Sequence, residues 1–208
     1  METGSDIQAA DQLPIPFYRH DLGDAEIDSF AKALQNPILT TGKVTQTFED
    51  QFAQLLNARH ALAVTSCTGA MHMVLAGLGI GPGDEVITTP MTFIATATAI
   101  LQAGATPVFV DVESDTGNID VKKIEAAITP RTKAILPVHL YGLMADMKAI
   151  KDIATNHGLR VIEDAAHCIE GSVDGVRPGG LSDAACFSFY ATKNITCGEG
   201  GALVVNDE

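Results

Sequence analysis

The stretch GPGDEVITTPMTFIATATAILQAGATPVFVDV (81–112) decides the fold, because its pattern switches from strand to helix and back to strand. EVITT (85–89) is a short β-rich run, 92–103 is apolar over a helical length, and TPVFVDV (106–112) is a second β-rich run. Such a unit places two strands side by side and parallel, with the helix covering one face of the sheet. The same alternation continues in both directions. ALAVTS (61–66) precedes it, and KAILPVHL (133–140), LRVIEDA (159–165), AACFSF (184–189) and GALVVN (201–206) follow, with further helical segments near 68–79, 120–128 and 146–157. Seven strand runs alternating with helices give an α/β class, namely a three-layer α/β/α domain with a mainly parallel seven-stranded sheet. The last two runs leave no room between them for an ordinary helix, so GALVVN is free to lie antiparallel to its neighbour.

Upstream of the alternation, Ile27, Phe30, Ala31 and Leu34 recur at helical spacing. Val44, Phe48, Phe52, Leu55 and Leu56 form a second such face, and NPILTTGK (36–43) is the turn between them. Residues 1–16 are polar, small and proline-containing and are expected to form an N-terminal arm, which leaves 17–208 as one domain.

Composition agrees with this class. A chain of 208 residues, 46% hydrophobic, has enough apolar surface for one core. Abundant Ala, Val, Ile and Gly with no Trp suit parallel strands covered on both faces. With 26 acidic against 13 basic side chains the formal net charge is −13, which disfavours non-specific binding to nucleic acid or to an anionic membrane. A small phosphorylated ligand remains admissible, because backbone N–H groups at a helix start can hold it locally. The four cysteines form no CxxC pair and no histidine stands at zinc-finger spacing, so no metal site is expected and a reducing compartment is. No secretory leader pattern opens the chain and no apolar run is long enough to span a bilayer, so the expectation is a soluble, cytoplasmic protein with no membrane partner.

Ligand sites in wound parallel sheets form at the carboxyl ends of the strands, and five groups stand there. TSCTGAMHM (65–73) opens a helix with Ser66, Thr68 and Gly69 at the junction, which suits a phosphate cradle, with ordinary N-capping by Ser or Thr as the competing reading. Phe93, just past EVITT, either stacks on a heterocycle or is a core aromatic. Asp164 ends the apolar run of VIEDAAHCIEG (161–171), where a carboxylate needs a partner; capping of the next helix is the competing reading. Glu163 should point the opposite way, and His167 could face a ring or a phosphate. In FSFYATKNITCGEGG (187–201), Ser188 can reach a phosphate and Lys193 lies on a glycine-rich turn. His139 and Tyr141 in ILPVHLYG (135–142) stand at another strand end, where the histidine is either a substrate contact or a satisfied structural residue. A lysine and an aspartate delivered from strand ends are the pair that pyridoxal 5'-phosphate (PLP) chemistry requires. The amine condenses with the aldehyde, and the carboxylate keeps the pyridine nitrogen protonated.

Taken together, TTGKVTQTFE (40–49), the SCT-A-MH helix start, GPGDEVITTPMTFIATA, FVDV-x5-NID, PVHLYG, EDAAH and FSFYATKNITCGEGGALVVN resemble the DegT/DnrJ/EryC1/StrS family of PLP-dependent sugar aminotransferases, within the fold-type I superfamily. The resemblance runs from about Ile15 to the C-terminus. It implies Lys193 as the catalytic Schiff-base lysine, Asp164 as partner of the pyridine nitrogen and Phe93 as the stacking residue. It also implies Thr68 and Ser188 as phosphate contacts, Ser66 and Cys67 at the cofactor-binding helix start, His167 close to the cofactor, and Thr41, Gly42 and His139 near the sugar. Cys67 departs from the family, which often has glycine there. The implied reaction moves an amino group from an amino acid such as glutamate to a keto sugar, expected as its nucleotide-linked form, in a homodimer. Family members run to nearly twice this length, so 17–208 is expected to be the PLP-binding large domain alone, without the C-terminal small domain. Two rivals stand beside this expectation. One is a sugar dehydratase of the same family, which would carry histidine in place of Lys193. The other is a truncated, non-catalytic PLP-binding or regulatory protein.

Overall fold

The computed structural model describes residues 16–206, so most of the expected N-terminal arm lies outside the described residues. Two helices lead into the sheet, α1 (Asp24–Ala33) and α2 (Lys43–Leu56). Then follow β1 (His60–Val64), α3 (Cys67–Gly77), β2 (Glu85–Thr88), α4 (Ala95–Gln102), β3 (Thr106–Phe109), α5 (Val121–Ile124), β4 (Thr132–Ile135), α6 (Met147–His157), β5 (Arg160–Asp164), β6 (Ala184–Ser188) and β7 (Gly201–Val205). The strands form one seven-stranded sheet in the order β1-β7-β6-β5-β4-β2-β3. β7 runs antiparallel to both β1 and β6, and the remaining neighbours pair in parallel. The mainly parallel α/β reading therefore holds, and the short connection from β6 does turn the last strand round.

Alternation along each strand splits the core into two layers. On one face Ile135, Val161, Ala185, Phe187 and Val204 pack with Phe52, Ile124 and Ile150 from α2, α5 and α6. On the other, Ala134, Leu136, Ile162, Cys186 and Leu203 pack with Met71, Leu75 and Ile100 from α3 and α4. A one-residue slip in β5 or β6 would exchange the two sets, so burial locks the register. At about 2 kcal/mol for each large apolar side chain taken out of water, that preference is strong.

Two helices are shorter than their patterns, and the segment expected over 92–103 gives only α4, which begins at Ala95. The segment expected to be helical over 120–128 gives only α5 and a 3₁₀ turn, Glu125–Ala127. Pro130 sets the outer limit of the segment, because its ring bars the preceding Thr129 from the helical region. Pro137 acts similarly at the end of β4, having no N–H to donate to the ladder.

Candidate active site

The residues around the candidate site are aimed by the two-residue period of the strands that deliver them. Phe187 and Phe189 turn toward α2, where Phe52 meets their rings edge-on at 5.1 and 5.8 Å between centroids. Ser188, lying between them, must face the opposite side, where it lines a cleft at the carboxyl end of the sheet. The same parity separates two neighbouring acids on β5. Asp164 shares the side of Ile162 and opens on the cleft, while Glu163 shares the side of Val161 and is enclosed.

The cleft has a volume of about 770 Å³ and is lined by Ser66, Cys67, Thr68, Phe93, Asp164, His167, Ser188 and Lys193, which are all eight of the residues expected at the cofactor. Its floor is Asp164, buried and held by uncharged donors. Thr96 Oγ1 donates to Oδ2 at 2.7 Å, and the Ala166 N–H donates to Oδ1 at 3.1 Å. The Cys67 thiol lies 3.8 Å from Oδ1. Burial and the adjacent Asp164 push that thiol well above its ordinary value, so Cys67 is a weak donor and not a thiolate.

Opposite the acid, Lys193 is half-buried on a pinned turn. Its N–H donates to the Tyr190 carbonyl at 2.9 Å, and Thr196 Oγ1 and the Cys197 N–H both close on the Phe189 carbonyl. Gly198, at φ 89°, supplies the left-handed step that ends the turn. Asn194 Nδ2 donates to both Glu170 carboxylate oxygens at 3.2 Å, tying the turn to the loop after β5. Burial lowers the Lys193 pKa, and Asp164 and Cys67 oppose that shift. Burial and Lys193 likewise lower His167, which favours a neutral imidazole. The Tyr141 N–H donates to His167 Nδ1 at 3.4 Å, and the two rings stack 5.7 Å apart.

At the third side of the cleft, α3 presents its N-terminus. Ser66 caps it, its Oγ accepting from the Gly69 N–H at 3.0 Å, so the capping reading of Ser66 is correct for that lone pair. The N–H groups of Cys67 and Thr68, in the first turn, have no partner within the helix. β7 begins hard against this turn. A Cβ on Gly201 would stand 2.6 Å from the Cys67 nitrogen, which accounts for glycine there.

The expected substrate residues fare differently. His139 is a correction: it is 0% exposed, its Nε2 lies 2.6 Å from Glu163 Oε2, and its Nδ1 accepts from the Ala145 N–H. A ring with both nitrogens engaged in the core cannot touch substrate, so the structural reading is the right one for it. Thr41 and Gly42 are not among the residues lining the cleft either. Gly42 N-caps α2 where a Cβ would meet the Ile38 backbone, with its carbonyl carbon at 3.2 Å, and that close approach explains the glycine. Thr96 was missed by reading the sequence. Its signal in the sequence was the four-residue spacing from Thr92 within the segment expected to be helical over 92–103, although α4 itself begins at Ala95.

This donor set fits PLP. An anionic carboxylate suits a protonated ring nitrogen, an amine of lowered pKa suits the aldehyde, and first-turn N–H groups with the Ser188 hydroxyl suit the phosphate. Phe93, 73% exposed at the cleft, has a face free for a planar ring. The volume lies in the range of small-molecule sites.

Residues 20–208 match the sequence profile of the DegT/DnrJ/EryC1/StrS aminotransferase family. The chain belongs to this family. Among its relatives is the spore coat polysaccharide biosynthesis protein SpsC of Bacillus subtilis (strain 168), 50% identical over 194 residues, a span covering 93% of this chain and 50% of SpsC. S. venezuelae DesV, solved in complex with a ketimine intermediate, superposes with a TM-score of 0.85 at 45% identity, covering 88% of this chain and 50% of DesV. The PMP form of the putative sugar aminotransferase Spr1654 from Streptococcus pneumoniae gives a TM-score of 0.90 at 32% identity, covering 94% of this chain and 53% of that one. The chain thus spans about half the length of these family members. No helix among the described residues is long and apolar enough to cross a membrane.

Proposed function

We propose that this chain is the cofactor-binding large domain of a PLP-dependent sugar aminotransferase. The observation that carries the reading is the meeting of Lys193, from the turn after β6, and Asp164, from the end of β5, in one cleft with the N-terminus of α3. PLP, when bound, supplies a reactive aldehyde and an electron sink. Lys193 Nζ takes the Cα proton of the amino donor and later returns it, and its partial burial increases the uncharged fraction that can do so. Asp164 offers its carboxylate to the protonated ring nitrogen. The Cys67 and Thr68 N–H groups and the Ser66 and Ser188 hydroxyls hold the phosphate. Phe93 covers one face of the ring, and His167, held neutral, can donate from Nε2 because Nδ1 already accepts from the Tyr141 N–H.

Glutamate is the amino donor in this reading, and a keto sugar, in its nucleotide-linked form, is the acceptor. The relatives named for polysaccharide biosynthesis and sugar amination support that class. A homodimer is the proposed assembly. Exposed apolar side chains on and around α1, among them Ile27, Phe30 and Leu34, support association.

The test is to mix the protein with PLP, reduce with borohydride and map the modified peptide by mass spectrometry. Label on Lys193, absent in Lys193→Ala, is the expected result, and Lys193→Ala should also abolish transfer of nitrogen from glutamate to a keto sugar. A folded wild-type protein that takes no label on Lys193 would overturn the reading.

A further inference from the structure

The carboxylate at the floor of the cleft is the end of a chain of hydroxyls. Thr92 lines the cleft, and its Oγ1 lies 2.7 Å from Oγ1 of Thr96. Thr96 is fully buried, and the same oxygen lies 2.7 Å from Asp164 Oδ2 and 3.3 Å from the Phe93 carbonyl. A hydroxyl has one proton to give. An ionised carboxylate only accepts, so the Thr96 proton goes to Oδ2, and the 2.7 Å contact with Thr92 then requires Thr92 to donate. The direction of both bonds follows from the charge at the end of the chain. Oδ1 is held at the same time by the Ala166 N–H, and Cys67 adds its thiol from the side of α3.

We propose that Thr96 is a positioning residue for Asp164, with Thr92 as the outer donor of a two-hydroxyl relay that orients the carboxylate toward the cleft. Every group hydrogen-bonded to Asp164 is a neutral donor, so the acid is fixed in direction and no cation is hydrogen-bonded to it within the fold, Lys193 acting on it only across the cleft. A cation entering the cleft therefore meets a carboxylate that needs no reorganisation. This role deepens the PLP reading and rests on it for the identity of that cation. The hydrogen bonds themselves belong to the chain alone.

The test compares Thr96→Val, Thr96→Ser and Thr92→Val, each checked by circular dichroism for an intact fold. In cofactor-free protein labelled with carboxyl-13C aspartate, the infrared band of Asp164, assigned by its loss in Asp164→Asn, should move in Thr96→Val and return in Thr96→Ser. By equilibrium dialysis, Thr96→Val should weaken PLP binding about tenfold, the usual weight of a hydrogen bond to a charged group, and Thr92→Val by less. An Asp164 band unmoved in folded Thr96→Val overturns the proposal. Failure of the wild type to fix PLP on Lys193 would sink the PLP reading, and the infrared band would still decide the relay.

Discussion

Glu163 and Asp164 are consecutive carboxylates on one strand, both buried, and they lead opposite lives. Glu163 is closed in on all sides. His139 Nε2 meets Oε2, while the Gly179 N–H (2.8 Å) and the Ser182 hydroxyl donate to Oε1, so three groups from two separate segments converge on one acid. Asp164, one residue later, has donors on the protein side only and opens into the cleft. Burial alone does not distinguish a structural acid from a functional one. What distinguishes them is whether the fold itself completes the partner shell, and a carboxylate left facing a cavity is one that a ligand is meant to complete.

The contrast can be broken from the structural side first, where the expected effect is largest. Glu163→Ala should cost about 3–5 kcal/mol of stability, the usual result of removing one partner of a buried pair, read as a shifted urea midpoint. A loss under about 1 kcal/mol would show that the Glu163 network is not structural. Asp164→Asn should keep the fold and lower turnover of the PLP-loaded enzyme by about 10²-fold or more, the scale of a lost preorganised electrostatic contact. If Asp164→Asn instead unfolds the protein while Glu163→Ala leaves it stable, the assignment of the two acids is inverted.

A smaller effect concerns pH. His167 is lowered from its ordinary 6.5 by burial and by Lys193. Between that depressed value and 6.5 the unfolded chain binds more protons at this side chain than the folded one does, so the histidine makes stability fall as pH drops through the window. His167→Asn should flatten the acid side of a melting-temperature profile between pH 7 and pH 5. An unchanged slope would mean that His167 is as solvated in the folded protein as in the unfolded one.

Much of the site was legible before the fold was known, and for local reasons. Phe187, Ser188 and Phe189 announce by period two that the serine faces away from the two rings, and Glu163 and Asp164 announce the same of each other. Ser66, Thr68 and Lys193 sit where strand patterns stop, and the carboxyl ends of parallel strands share one edge. His139 occupies the same kind of position and misled, because its ring turns beneath the loop that continues to Ala145 and nothing within ILPVHLYG states that Glu163 waits there.

The sequence by itself determined the α/β class, the number of strands, the parity of each side chain on its strand, and the cleft residues that follow from strand ends. These depend on residues a few positions apart, whose relation is imposed by backbone geometry. Only the tertiary structure decided that β7 lies between β1 and β6, that His139 serves Glu163, and that Thr96 reaches Asp164 across 68 residues of chain. Those pairings are chosen by packing, which closes hydrogen bonds between segments with no periodic relation to one another, and by the cost of leaving a buried acid without donors.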